Sequence, residues 1–173
     1  MISPLVIEDH AGQGIVTTNP AVTNTQFDLT GDGVKNRISC VQQGAFLALP
    51  NAAGQIVNIN QLFGNNTVGP DGKKAANGFL ALGKYDSNSD GVIDQRDAIF
   101  RELVLWEDAN CDGIAQASEI SSLGSRGVKS IRWANAQPMY EVDPWGNVTE
   151  ERNNVLLSDG EVPRIFDLWF KAN

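Results

Sequence analysis

Asp86-Ser-Asn-Ser-Asp-Gly-Val-Ile-Asp-Gln-Arg-Asp97 carries oxygen side chains at positions 1, 3, 5, 9 and 12, namely Asp86, Asn88, Asp90, Asp94 and Asp97. Position 6 is Gly91, where the chain must turn sharply. Position 7 is Val92, which offers a backbone carbonyl, and position 8 is the apolar Ile93. Calcium is a hard cation that takes six to eight oxygen ligands, and this spacing wraps such ligands around one ion. The stretch reads as a twelve-residue calcium loop of the EF-hand type. The same grammar returns at Asp108-Ala-Asn-Cys-Asp-Gly-Ile-Ala-Gln-Ala-Ser-Glu119, with Asp108, Asn110, Asp112, Ile114, Gln116 and Glu119 at the ligand positions. Glu119 reaches an ion with two oxygens, whereas the shorter Asp97 more often gives one. The first loop compensates with four carboxylates against three.

A weaker third loop starts at Asp28. Asp28, Thr30, Asp32 and Asn36 fill positions 1, 3, 5 and 9, with Gly33 at 6 and Val34 at 7. Position 12 is Ser39, a poor substitute for a bidentate acid. The competing reading of this stretch is a Gly-Asp-Gly turn between two strands. Two calcium sites are expected, with a third open.

The chain has 173 residues, 13 Lys and Arg, 21 Asp and Glu, and a formal net charge of −8. Nine of the acids sit at the loop positions just named, so three bound calcium ions would leave about −2. An acidic chain without a basic patch argues against nucleic acid. The first residues lack the basic and apolar segments of a signal peptide, and no stretch approaches a membrane span, so membrane insertion is not expected. Cys40 and Cys111 could pair in an oxidising compartment, but Cys111 stands at loop position 4, where side chains usually point outward; that weighs against the bond. His10 is the sole histidine and has no companion for a triad or a zinc site.

Leu5–Ile7 and Ile15–Thr17 read as short strands around a Gly-rich turn, and Phe27 with Val34–Ser39 as a hairpin around the third loop. Ala45–Leu49 is an apolar, buried strand. Residues 50–78 read as loop, with a turn near Gln61. A helical segment starts at Asn77. Between the two strong loops, Ile99, Phe100, Leu103, Val104 and Trp106 give a helical face over 98–107. Ser118–Ile120 continues as a short helix towards Gly124. Val128–Trp133 is a strand, Asp143–Asn147 a turn, and Arg164–Phe170 a buried edge strand. The four tryptophans read as core. The expected fold is α+β: one module with a β-rich lobe over about 4–60, a compact helical part with tandem calcium loops over about 77–125, and closing strands over about 126–173.

The order of motifs is itself informative. Pro4-Leu5-Val6-Ile7, Phe27-Asp-Leu-Thr-Gly-Asp-Gly33, Leu62-Phe63-Gly64 and Asn77-Gly-Phe79 are followed by Tyr85 to Asp94, Trp106 to Gly113 and Gly127-Val-Lys-Ser-Ile131. This order resembles the calcium-dependent self-processing module of bacterial RTX (repeats-in-toxin) proteins, and related calcium-binding modules of large secreted and Rhs-type proteins. The resemblance implies a calcium-folded module, flanked by other domains of an extracellular or cell-surface protein. It also implies cleavage of an Asp-Pro bond at the front edge, where the Asp carboxylate attacks its own carbonyl and a lysine amine captures the anhydride as an isopeptide. Here the matching bond is Ser3-Pro4, and serine has no carboxylate to form the anhydride. The remaining Asp-Pro pair, Asp143-Pro144, reads as a turn. The expected function is therefore calcium-dependent folding, with self-processing as the enzymatic alternative and a calcium-stiffened adhesion or spacer module as a third. No catalytic residue is assigned.

Overall fold

The computed structural model describes residues 1–172. The strands are β1 (Leu5–Glu8), β2 (Val16–Thr17), β3 (Gln26–Phe27), β4 (Asn36–Arg37), β5 (Val41–Gln42), β6 (Gly44–Ala48), β7 (Val92–Asp94), β8 (Val104–Trp106), β9 (Ile120–Ser122), β10 (Val128–Arg132), β11 (Gln137–Val142), β12 (Val148–Leu157) and β13 (Arg164–Trp169). Two short helices accompany them, α1 (Pro20–Thr23) and α2 (Gly78–Gly83). The main sheet runs β7-β10-β12-β13-β1-β6-β8-β9, with β11 added along β12. All its pairings are antiparallel, and the sheet curls into a half-barrel. Small two-stranded ribbons, β2–β5 and β3–β4, lie outside it.

The central strands are apolar on both faces because both faces are covered. Along β1, Leu5 and Ile7 enter one buried cluster and Val6 the other; along β6, Ala45 and Leu47 alternate with Phe46 and Ala48 in the same way. Phe79, Ala81 and Leu82 of α2 cover the first face, with Phe63 and Ile99. Phe27, Leu29, Ile38, Ile59 and Leu62 cover the second, around Trp106. Each fully buried Leu or Phe contributes about 1.5–3 kcal/mol relative to exposure, which explains uninterrupted runs such as Leu5–Ile7 and Ala45–Leu47. Asn77 starts α2 by accepting the Leu80 N–H at 2.8 Å.

The α+β expectation is overturned: the regular structure is mostly antiparallel β, and the part expected to be helical, about 77–125, holds the short α2 and otherwise 3₁₀ turns and strands. Residues 98–107 make one 3₁₀ turn, Ala98–Arg101, and then β8. In β8, Val104 and Trp106 pack into one cluster and Leu105 into the other. That period of two was masked by Ile99 and Phe100, which complete an apparent helical face. Ser118–Ile120 is likewise a 3₁₀ turn, Ala117–Glu119, leading into β9. β13 is interior, between β12 and β1, rather than an edge. β12 was not foreseen because its centre reads Glu-Glu-Arg-Asn-Asn, a polar run that looks like loop until neighbours on both sides claim its backbone.

Candidate metal centre

Three loops share one backbone form. In each, the position-1 acid accepts the N–H of the position-6 glycine: Gly91 to Asp86 at 2.8 Å, Gly113 to Asp108 at 3.0 Å, and Gly33 to Asp28 at 2.9 Å. The position-5 acid accepts the N–H of position 7: Val92 to Asp90 at 3.1 Å, Ile114 to Asp112 at 2.8 Å, and Val34 to Asp32 at 2.8 Å. Positions 4 and 6 are left-handed in all three. They are Ser89 and Gly91 (φ 57 and 86), Cys111 and Gly113 (φ 60 and 72), and Gly31 and Gly33 (φ 74 and 87). That conformation is cheap for glycine, and it turns successive N–H groups inward.

The two strong loops share more. Asn88 and Asn110 each accept the N–H of the next acid, at 3.3 and 3.1 Å, and donate their amide to its carboxylate at 3.0 and 2.9 Å. The position-12 acid latches the loop. Asp97 accepts from Ser87 N at 2.7 Å and Asp94 N at 3.0 Å; Glu119 accepts from Ala109 N at 3.1 Å and Gln116 N at 3.3 Å. The third loop has no such latch. Its Ser39 Oγ instead accepts from Asn147 at 2.9 Å, while Asn36 accepts from Leu29 N at 3.4 Å and Thr30 Oγ1 donates to Asp28 at 3.3 Å.

The loops differ in their mounting. The first leaves α2, spends Val92–Asp94 as β7 on the sheet edge, and buries Ile93 opposite Ile131. The second is the turn of the β8–β9 hairpin, closed by Glu107 N to Glu119 O at 3.0 Å. The third is the turn of the β3–β4 ribbon. Two indoles missed in the sequence reach into the strong loops. Trp133 Nε1 donates to Asp86 at 2.9 Å, and Trp106 Nε1 to Glu119 at 3.4 Å. Arg96 was also missed: its guanidinium clamps Asp94 at 2.6 Å and reaches Asp90 at the loop's open side. No pattern along the chain announces these partners, since Trp133 lies far from Asp86 in sequence.

Burial separates the two position-1 acids. Burial pushes Asp108 up to about 6, against the Gly113 N–H, with Glu119 and Asp112 adding repulsion. Asp86 feels burial too, but the Gly91 N–H and the Trp133 indole hold it below the usual carboxylate range. Arg96 lowers Asp94.

These residues fit a hard, oxygen-seeking cation. Asp86 Oδ1 and Gln116 Oε1 are buried without a hydrogen-bond partner, and both stand at ligand positions. An ionised carboxylate has about four acceptor sites, so acids already holding N–H groups keep capacity for an ion. Among the described residues, no three His, Cys, Asp or Glu side chains stand gathered as a metal cluster. The loop oxygens come from acids, amides and backbone together, and Arg96 and the two asparagines hold some acids elsewhere.

Cys40 and Cys111 form a disulfide with Cα atoms 5.4 Å apart, contrary to the expectation from loop position 4. The outward direction at that position faces the segment between β4 and β5, which carries Cys40. At the front edge, Ser3 is fully buried, its N–H donating to Asn65 Oδ1 at 3.0 Å. Beside it Asp167 is wholly enclosed, with Oδ1 unpartnered, and burial pushes its carboxyl up to about 7. Asp143 accepts from Trp145 N, Asn147 N and Thr17, so Asp143-Pro144 is the expected turn.

Fold and loops together define a disulfide-stapled antiparallel β module built around repeated acidic turns. The SPM domain model matches residues 5–171, and the chain belongs to the SPM domain family. It is 32% identical over 173 residues to the iron-regulated protein FrpA of Neisseria meningitidis serogroup C. That alignment covers 98% of this chain and 15% of the relative.

Proposed function

We propose that this chain is a calcium-binding module of a larger secreted bacterial protein, and that calcium completes or stabilises its fold. The observation that carries this reading is the repeated loop, whose ligand positions include two buried oxygens without partners. The first ion would be held by Asp86, Asn88, Asp90, Val92, Asp94 and Asp97. The second would be held by Asp108, Asn110, Asp112, Ile114, Gln116 and Glu119. Asp28, Thr30, Asp32, Val34 and Asn36 form a weaker third cradle without the position-12 latch. Calcium supplies the charge that the clustered acids lack. The chain's own part is to hold each loop's acids in one turn whose ends are fixed by the folded sheet and ribbons, so that binding free energy becomes folding free energy. The disulfide supports an oxidising, extracellular setting. The small share of the FrpA relative that is spanned supports flanking domains as the module's covalent partners.

Thermal melts followed by circular dichroism, with calcium and with excess chelator, test the proposal. Saturation of two sites at a hundred times their Kd is worth about 5 kcal/mol, or a rise in Tm of about 10 °C or more. An unchanged Tm retires it.

Self-processing before Pro4 remains as a second reading because of the enclosed Asp167 carboxyl beside Ser3. Ser3 itself brings no nucleophilic carboxylate. A Ser3→Asp variant restores one; mass spectrometry after calcium addition should then detect cleavage before Pro4, and an intact mass rejects this reading.

A further inference from the structure

Cys111 stands between two candidate ligands, Asn110 and Asp112, and is bonded to Cys40. Its left-handed backbone (φ 60) costs a non-glycine residue about 1–2 kcal/mol. The surroundings hold it there. The Cys111 carbonyl accepts from Thr25 Oγ1 at 2.7 Å. Gly113 sits so close to β3 that a Cβ on it would come within 2.2 Å of the Gln26 carbonyl oxygen. Cys40 Sγ lies 3.6 Å from the carbonyl oxygen of Asp108, the position-1 residue. The cross-link therefore pins position 4 and sets Cys40 Sγ against the position-1 carbonyl. The first loop has the same left-handed geometry at position 4, but its residue is Ser89, exposed and not cross-linked.

We propose that the Cys40–Cys111 disulfide is a redox switch on the second cation loop. This rests on the calcium reading of the loops. An external dithiol delivers two electrons and two protons: its thiols close to a disulfide while Cys40 and Cys111 become free thiols. The tie across 71 residues is then gone. Asn110 and Asp112 then keep only the loop's own hydrogen bonds and the Thr25 contact to order them, so the ion must supply more of the ordering and the second loop binds more weakly. The first loop has no covalent tie to this bond and keeps its affinity. Linkage is reciprocal, so calcium in the second loop makes the disulfide harder to reduce by the same factor.

Each strong loop carries its own indole, Trp133 on Asp86 and Trp106 on Glu119. Calcium titrations followed by the two indole N–H resonances therefore report the loops separately. The samples are the oxidised protein, the dithiol-reduced protein and the Cys40→Ser, Cys111→Ser double variant. The expected result is a Trp106 midpoint raised by about tenfold or more in the last two, equivalent to about 1.4 kcal/mol, with the Trp133 midpoint moving less than about twofold. Equal Trp106 midpoints in oxidised and reduced protein overturn the switch and leave the calcium reading standing. A parallel shift of both indoles, or loss of the folded spectrum, also overturns it, since the bond would then act on the whole fold. No response of either indole in the oxidised protein overturns the calcium reading itself.

Discussion

The loops at Asp86–Asp97 and Asp108–Glu119 have nearly identical internal hydrogen bonds and quite different surroundings. The first is mounted between a helix and a 3₁₀ turn, lends its middle to the sheet edge, and faces solvent with Arg96 across its mouth. The second closes a hairpin and is bolted through Cys111 to Cys40, in the segment between β4 and β5. Equal interiors in unequal frames teach that the twelve-residue grammar is a local property. It needs left-handed residues at positions 4 and 6 and an acid at 12, not flanking helices. The third loop sharpens this. It keeps the left-handed residues but has Ser39 in place of the acid, and the ties from position 12 to positions 2 and 9 are missing.

The largest expected effect comes from cutting the latch. Asp97→Ala strips a buried acid from two N–H groups and should cost about 2–4 kcal/mol in urea melts run in chelator. Ser39→Ala at the same position of the third loop should cost under about 1 kcal/mol, because Asn147 keeps its 2.7 Å bond to Asp143. Equal losses would break the distinction between latched and unlatched loops.

A smaller effect separates the position-1 acids by pH. Asp108 has a folded-state pKa raised to about 6 from 3.8, so the metal-free fold holds its proton where the unfolded chain has lost it. Its contribution is present below about pH 4 and is lost as pH rises through 6. Asp86 is lowered, so its contribution has the opposite sign and is lost on acidification. In chelator, Asp108→Asn should therefore raise Tm above wild type at pH 7.5 and lose that advantage near pH 4. Tm measured across pH 4–8 checks this; a variant that is less stable at pH 7.5 contradicts the assignment.

The smallest effect concerns Arg96. Removing one positive charge from the first loop's mouth, with Arg96→Gln, should tighten its calcium binding by about fivefold at low salt, or about 1 kcal/mol. The second loop should not change. Isothermal titration at two salt concentrations measures both, and a gain shared by the two loops would show that Arg96 acts on the whole chain's charge rather than on one site.

Much of the loop geometry was legible because its grammar is local. Asp86, Gly91 and Asp97 lie within one turn of chain, and their mutual geometry follows from spacing and from which residues tolerate positive φ. The same is true of Asp28 and Gly33. The fold class was misread for an equally physical reason. Over 98–107, the spacing of the apolar residues fits a helix as well as it fits a 3₁₀ turn followed by a strand, and only pairing with β6 and β9 selects the strand. The polar centre of β12 shows no strand period because flanking strands satisfy its backbone regardless of its side chains.

The sequence alone determined where oxygens recur and where the chain must turn, because those depend on neighbours a few residues apart. Only the tertiary structure decided that burial raises Asp108 while Asp86 is lowered, which indole reaches which loop, and that Cys111 meets Cys40. Those outcomes join residues 13, 47 and 71 positions apart through the packing of separate elements, and no short-range rule of spacing or propensity reaches that far.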